Sequence, residues 1–330
     1  MQSFGKWLGR LLVVVLALAL FLWLGPRDSM IRPASFAAVT AEVPGPEALD
    51  GWLADREAAV PGLRDGAAKR IVWAGAPGAV TDLAVVYLHG FSASAEEVRP
   101  LPDEVAAALG ANLFFTRLTG HGRDGAAMAE ARPEDWLKDT AEALAIGRTI
   151  GREVLVIGTS TGGTLAAWAA TDPELAEGVR GVVLISPNFG VRNPMAKILD
   201  LPYAAVWAPP LVGRERAFTP QNERHAAHWT TRYPSSALFP MATLLRDTAQ
   251  RDFGAAAMPA LFLFSDLDTV VDPDASRGVA SRWGGGAEVI EIEPAAGADP
   301  DMHVLAGDIL SPGLTAMVRD AILDWVARQP

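Results

Sequence analysis

An apolar segment of strand-like composition runs directly into a glycine-rich serine motif. Residues 154–157 are Val-Leu-Val-Ile, and residues 158–162 follow as Gly-Thr-Ser-Thr-Gly, the G-x-S-x-G spacing. The next residues, Thr164 to Ala170, have the composition of a helix. A serine on a sharp turn between strand and helix projects its hydroxyl from the sheet edge, as a nucleophile requires. We predict that Ser160 is the nucleophile and that the Thr161 amide, at the helix N-terminus, stabilises an oxyanion.

A serine hydroxyl needs a general base, and the chain offers five histidines. His303 follows the last predicted strand and precedes the C-terminal helix, which gives the chain order serine, acid, histidine that is typical of this motif. We therefore predict His303 as the base. His121, in the loop 118–122, is expected to shape that loop or to line the substrate pocket. His225 and His228 are expected on the surface.

The acid that orients the histidine is expected in the loop 264–273. Asp268 lies deep enough in this loop to point toward His303 and is the predicted acid, with Asp266 as the alternative. Asp272 precedes Pro273 and is better explained as a helix N-cap.

A second loop that leaves a strand begins at His89-Gly90-Phe91. Where a nucleophilic serine lies on a sharp turn between strand and helix, such a loop supplies a second backbone amide to the oxyanion hole. We predict that this amide belongs to Phe91, and that Gly90 lets the backbone approach the substrate.

Strands and helices alternate from residue 69 onward. Strands are predicted at residues 70–73, 83–88, 112–116, 153–157, 179–185, 260–264 and 288–292, and helices at residues 95–109, 133–150, 164–171, 273–283 and 313–329. Several of the strands are apolar on both faces, which is typical of a parallel sheet covered by helices on each side. The long interval 189–257 breaks this alternation and is predicted to be an inserted cap of short helices.

The N-terminal region is expected to differ from the rest. Residues 11–24 are continuously apolar and follow Lys6 and Arg10, so residues 1–25 are predicted to be a transmembrane anchor, with a cleaved signal peptide as the alternative. The preceding cations favour a cytoplasmic N-terminus and a catalytic domain outside the cytoplasm. Residues 26–68 are expected to form a tether and a short docking helix, before a domain at residues 69–330.

Composition narrows the function. The formal charge of −11 and the pI near 5.0 argue against nucleic-acid binding. The chain has no cysteine, which excludes disulfides and thiol nucleophiles. No His-Glu-x-x-His or related spacing is present, so no metal is predicted.

Together, His89-Gly90-Phe91, Gly120-His121-Gly122, residues 158–162, Asp268 and His303 resemble the motifs of the α/β-hydrolase superfamily, in the monoacylglycerol-lipase and serine-aminopeptidase-like branch. The resemblance covers about residues 69–330. It implies a mostly parallel, eight-stranded sheet, a cap over the site and no cofactor. The chain departs from the usual pattern at Thr119, where proline is common, and at Thr159 and Thr161 in the elbow.

The sequence therefore predicts a serine hydrolase acting on small-molecule acyl esters or lipids. A peptidase or amidase using the same three residues is the enzymatic alternative, since the same chemistry opens amides. A binding protein on a hydrolase scaffold is disfavoured by the ordered set of Ser160, Asp268 and His303. The sequence does not fix the acyl length or the oligomeric state.

Overall fold

One sheet organises the molecule in the computed structural model, which describes residues 2–329. Within those residues the sheet has seven strands, in the order β1-β3-β2-β4-β5-β8-β9. These strands are β1 (Arg70–Val72), β2 (Thr81–Leu88), β3 (Asn112–Phe115), β4 (Gly151–Thr159), β5 (Val179–Ile185), β8 (Ala260–Phe264) and β9 (Ala287–Glu291); β6 (Glu215–Ala217) and β7 (Arg232–Pro234) pair separately. β1 is antiparallel to β3, and all other neighbours in the sheet are parallel.

The seven strands of the sheet are those that the residue pattern predicts. The resemblance implies an eighth strand, and this is not found in residues 2–329, because the chain before β1 folds as helices. The parallel arrangement brings the carboxyl ends of β2, β4 and β8 to one edge. The His89 loop, Ser160 and the loop of Asp268 therefore emerge at that edge, where sites of such sheets lie.

Helices cover both faces of the sheet. The helices are α1 (Gln2–Leu24), α2 (Ala37–Thr40), α3 (Leu49–Ala58), α4 (Leu101–Leu109), α5 (Gly125–Met128), α6 (Pro133–Ile150), α7 (Thr161–Ala170), α8 (Ala204–Trp207), α9 (Pro209–Val212), α10 (Glu223–His228), α11 (Leu238–Ala249), α12 (Pro273–Ala280) and α13 (Thr315–Ala327). The α6, α7 and α11 helices pack in the core on one face, and α4 and α13 in the core on the other.

Strand β4 shows why the sheet is buried on both sides. Val154 and Val156 point into the core that contains α6 and α7, while Leu155 and Ile157 point into the core that contains α4 and α13. Alternate residues of a strand face opposite sides, so an unbroken apolar run is stable only between two apolar layers. The predicted arrangement of helices on both faces is confirmed.

The interval 189–257 is more varied than a set of short helices. Besides α8, α9 and α10 it contains the antiparallel pair β6 and β7, each of three residues, which are too short to leave a clear alternating pattern. Its last helix, α11, belongs to the helix layer of the sheet: Met241 and Leu244 are in the core, and Trp168 Nε1 donates to Asp247 Oδ2 at 2.8 Å.

Residues 26–68 lie against the domain along much of their length. Phe36 is buried, with its ring edge-on to Trp168 at a centroid separation of 6.4 Å. The nearby Arg32 guanidinium donates two hydrogen bonds to Asp172, from Nε at 2.5 Å and from Nη2 at 3.0 Å. Leu53 of α3 is also in the core. The segment expected to be a tether is therefore packed on the sheet domain from about residue 30.

Helix α1 stands apart from this core. Its segment Phe4–Phe21 has a mean hydropathy of 1.9, and none of it is buried by the protein. Its length and composition are those of a helix that can cross a membrane, and a signal sequence near the N-terminus shares both properties.

If residues 26–68 stabilise the domain, loss of the buried Phe36 ring should be costly. Phe36→Ala is expected to lower the free energy of unfolding by about 3 kcal/mol, because it leaves a cavity beside Trp168. Urea denaturation of the full chain in detergent, followed by tryptophan fluorescence, measures this change. Ile31→Ala, at an exposed position of the same segment, is the control and should change stability by less than about 0.5 kcal/mol. Equal stabilities of the two variants would contradict this packing role.

Candidate active site

Ser160 occupies a sharp turn between β4 and α7. Its φ is +51° and its ψ is −117°, a conformation that a residue with a side chain rarely adopts. The turn is possible because glycine flanks it. A Cβ on Gly158 would lie 2.5 Å from the carbonyl oxygen of Gly162, and a Cβ on Gly162 would lie 2.0 Å from the carbonyl oxygen of Leu88. The local sequence therefore accounts for the strained backbone that presents the Ser160 hydroxyl.

His303 contacts both of its predicted partners. Its Nε2 lies 3.1 Å from Ser160 Oγ, and its Nδ1 lies 2.8 Å from Asp268 Oδ2. The other carboxylate oxygen of Asp268 accepts the backbone N–H groups of Val270 at 2.7 Å and Val271 at 2.9 Å. Because Asp268 is fully buried and held by these amides, it fixes the imidazole with Nδ1 protonated and Nε2 directed at the serine.

The charges around His303 suit the role of a general base. Burial lowers the pKa of His303, but the hydrogen bond to Asp268 and the charges of Asp268, Asp299 and Glu97 together outweigh burial, and the net shift of the pKa is upward from 6.5. A raised pKa means that the imidazole gains a proton more readily, as it must when the serine hydroxyl attacks.

The backbone at His303 is held by a residue that the sequence analysis missed. Asp299 Oδ2 accepts the N–H groups of His303 at 3.3 Å and Val304 at 3.0 Å, and its Oδ1 accepts Nε2 of Gln221 from the cap at 2.9 Å. An Asp four residues before the histidine, followed by Pro300, is a sequence signal for such a turn.

The loop after β2 adjoins the serine. A Cβ placed on Gly90 would lie 3.2 Å from Ser160 Cβ, so only glycine allows the loop to pass this close. Phe91 lines the same cavity as Ser160. Thr161 follows Ser160 directly and is the first residue of α7. His89 holds this loop: Nδ1 donates to the Gly90 carbonyl at 2.8 Å, and Nε2 accepts the Leu118 N–H at 3.0 Å. Burial lowers the pKa of His89 to about 4, which keeps this ring neutral.

The structure does not bring His121 or Gly90 to the cavity wall, where the sequence analysis expected substrate contacts. His121 lies behind Phe91, with the two rings edge-on at 5.6 Å, and it is buried. Burial lowers its pKa to about 3. Its position shows that it supports Phe91 from behind. Gly90 is buried within its loop, where the absence of a side chain lets the loop pass close to Ser160.

The contacts of the other candidate residues assign them to other roles. Asp266 forms an exposed ion pair with Arg277, whereas Asp272 caps α12 by accepting the N–H of Asp274 at 3.0 Å. His225, expected on the surface, is instead buried and lines the cavity above Ser160. Its ring packs against Trp229 at 4.6 Å, an aromatic contact that the sequence pattern did not reveal.

A cavity of about 420 Å³ surrounds Ser160 and His303. Aromatic side chains of the cap and the polar residues Gln221 and Asp299 line one part, and Val191, Leu238 and Met241 line another. These three apolar residues also line a second cavity of about 540 Å³ beneath the cap. No group of three or more His, Asp or Glu side chains arranged to hold a metal occurs in the described part of the chain.

Comparisons with known proteins agree with this architecture. The family model Hydrolase_4, described as serine aminopeptidase, S33, matches residues 80–295. A search of the curated proteins finds no significant match.

Solved structures of low sequence identity share the fold. A structure from the work on LipS and LipT, two metagenome-derived lipolytic enzymes, has a TM-score of 0.66 and 22% identity, and the match covers 81% of this chain and 99% of that one. A soluble variant of the monoglyceride lipase from Saccharomyces cerevisiae has a TM-score of 0.60 and 14% identity, with 82% and 95% covered. The monoacylglycerol lipase from Paleococcus ferrophilus has a TM-score of 0.55 and 16% identity, with 79% and 98% covered. With two thirds of its length matched by the family model, this chain belongs to the serine aminopeptidase S33 family of α/β hydrolases.

Proposed function

We propose that the protein is a serine hydrolase that cleaves carboxylic esters of apolar acyl groups through an acyl-enzyme. The observation that carries the proposal is the continuous contact from Ser160 Oγ to His303 Nε2, at 3.1 Å, and from His303 Nδ1 to Asp268, at 2.8 Å. Three residues that are far apart in sequence thus meet beside a cavity large enough for a small ester: a proton can pass between Ser160 and His303, while Asp268 orients the imidazole and stabilises its positive charge.

The mechanism follows from these positions. His303 takes the proton of Ser160 as its oxygen attacks the ester carbonyl, and the N–H groups of Phe91 and Thr161 donate to the oxyanion that forms. His303 then gives its proton to the leaving alcohol, and the acyl group remains on Ser160. Water, deprotonated by His303, attacks the acyl-enzyme, releases the carboxylic acid and restores the serine.

The cavity lining supports an ester with an apolar acyl group. The part near Val191, Leu238 and Met241 continues toward the second, largely apolar cavity, which would accommodate an acyl chain. A peptidase acting at an amino terminus would need a carboxylate with free capacity for an ammonium group. Two carboxylates line the cavity. Asp299 already accepts hydrogen bonds from Gln221, His303 and Val304, and the exposed Asp301 accepts the Thr269 hydroxyl at 2.6 Å. The apolar lining therefore favours ester cleavage. The panel of substrates described below decides between esters and amides.

Ser160→Ala tests the nucleophile. The variant is expected to lower kcat by roughly 10⁴- to 10⁶-fold, as for other serine hydrolases that lose this residue. Initial rates are measured on nitrophenyl esters, monoacylglycerols, lysophospholipids and aminoacyl amides. Ser92→Ala, a second serine of the cavity lining, is the control and should keep most of the activity. More than a tenth of wild-type activity in Ser160→Ala would refute the proposal, and cleavage of the amides alone would refute ester specificity.

The pH dependence tests the His303–Asp268 pair. Hydrolysis requires a neutral imidazole, and the pKa of His303 is raised above 6.5, so kcat/KM should fall as the pH decreases through a value above 6.5. Asp268→Asn removes the charge that raises this pKa, so the acidic limb should move to lower pH and the maximal rate should fall by roughly 10⁴-fold. Asp266→Asn is the matched control, since its carboxylate pairs with Arg277. A normal profile for Asp268→Asn and an altered one for Asp266→Asn would assign the acid to Asp266.

We also propose that α1 is a membrane anchor, that the catalytic domain lies outside the cytoplasm, and that one face of the cap rests on the bilayer. Phe21 of α1 stacks on Tyr203 of the cap, with ring centroids 5.1 Å apart, and Arg27 Nε donates to the Asp200 carbonyl at 3.0 Å. Val206 and Leu211, on the adjacent part of the cap, are 78% and 76% exposed. Apolar side chains exposed next to the end of a spanning helix would lie at the level of the lipid headgroups.

Because the chain has no cysteine, single labels test this arrangement without a background. A nitroxide on Val206→Cys, in full-length protein reconstituted in liposomes, is expected to be accessible to dissolved oxygen and protected from a water-soluble nickel complex. The same label on Met317→Cys, also exposed but on α13, should show the reverse. Equal exposure of both labels to the nickel complex would refute the contact of the cap with the bilayer.

A further inference from the structure

A buried glutamate that the proposed mechanism does not use lies beside the catalytic serine. Glu97 ends a short 3₁₀ helix, Ala95–Glu97, and is 2% exposed. Its Oε1 accepts the backbone N–H of Gly90 at 2.5 Å. A Cβ placed on Gly90 would lie 2.9 Å from Glu97 Oε2 and 3.2 Å from Ser160 Cβ. The carboxyl therefore sits directly under the loop that carries Phe91, close to the nucleophile.

The same carboxyl is connected to the strand that carries Ser160. The hydroxyl of Tyr87 lies 2.7 Å from Glu97 Oε1 and 3.0 Å from Thr159 Oγ1. Tyr87 is fully buried, and burial raises its pKa well above 10, so it stays protonated and donates to the carboxyl. Since this hydroxyl has a single proton, it accepts from Thr159. Glu97 thus joins the loop after β2 to the end of β4, the two segments that would supply the oxyanion donors.

We infer that Glu97 is a positioning residue for this site: its carboxyl fixes the loop of Gly90 and Phe91 against the Ser160 turn. The inference rests on the proposed function. An unpaired buried amide at Gly90 would otherwise favour movement of the loop toward other partners. One oxygen of the Glu97 side chain has lone pairs enough to accept both the Gly90 N–H and the Tyr87 hydroxyl.

The charge of Glu97 affects the protonation of His303. Burial raises the pKa of Glu97 to about 7, and the ionised form favours the protonated form of His303. The titratable groups that face Glu97 are Tyr87 on β2 and His303. Those that face His303 are Asp268, Asp299 and Glu97. Removal of the Glu97 charge alone should therefore lower the pKa of His303.

Two substitutions separate the charge from the hydrogen bonds. Glu97→Gln keeps an acceptor for Gly90 and Tyr87, so kcat should stay within about threefold of wild type, while the pKa of His303 falls by about half a unit. Glu97→Ala removes the acceptor, so kcat should fall by about 10- to 100-fold with KM little changed, which is less than the loss of a whole oxyanion donor.

The titration of His303 is measured by proton NMR in the full-length protein, with its ring signal assigned by its loss in His303→Asn. Glu96→Gln is the matched control, because Glu96 pairs with Arg70 and Arg99 instead of the site, and it should leave the titration unchanged. If Glu97→Ala does not fold, Tyr87→Phe removes one of the two donors to the carboxyl and should lower kcat without changing KM.

An unchanged His303 titration in Glu97→Gln, or wild-type kcat in Glu97→Ala, would each overturn the inference. The NMR titration needs no turnover. If the wild-type protein cleaves no ester, the rate of reaction with a fluorophosphonate replaces kcat, so failure of the proposed substrate class is distinguished from failure of the role of Glu97.

Discussion

The site depends on the backbone of a single residue. Ser160 adopts φ +51°, which is unfavourable for any residue with a side chain, and it is held there because β4 and α7 are packed on both sides of the turn. That conformation directs the hydroxyl away from the sheet and toward His303. It also places Thr161 at the start of α7, where N–H groups have no partner within the helix. The same backbone conformation thus positions both the proposed nucleophile and one proposed oxyanion donor.

The sheet brings the other groups to this turn. Parallel strands end at a common edge, so the loops after β2, β4 and β8 lie together although their residues are separated by about 70 to 180 positions in the chain. Asp268 is held by backbone amides of its own loop and in turn holds the His303 ring, while Asp299 accepts the backbone N–H of His303. The cap then closes the cavity above them and contributes Gln221, which binds Asp299. Through Asp299, the cap is therefore connected to the backbone of His303, the proposed base.

Much of the fold and part of the site could be predicted from the sequence. The strands were predictable because runs such as residues 154–157 are apolar on both faces, and Ser160 because its G-x-S-x-G motif lies between a predicted strand and a predicted helix. Asp268 and His303 followed from chain order in the family. The β6–β7 pair and the packing of Phe36 were not predictable, since each depends on contacts distant in sequence, and the eighth strand that the family resemblance implied is not found in residues 2–329. The role of His121 was left open between shaping its loop and lining the pocket, because a histidine between two glycines gives no indication of whether it faces substrate or, as here, the back of Phe91. Glu97 and Asp299 were missed because a buried carboxyl is recognised only by its partners.

The most direct measurement of the central claim is the position of a covalent adduct. Full-length protein treated with a fluorophosphonate is digested and examined by tandem mass spectrometry. We expect a single modified residue, Ser160, with no modification in protein that carries His303→Asn, because the serine is unreactive without its base. Modification of a different residue, or an equal yield of Ser160 adduct without the imidazole, would contradict the proposal that Ser160 and His303 act together.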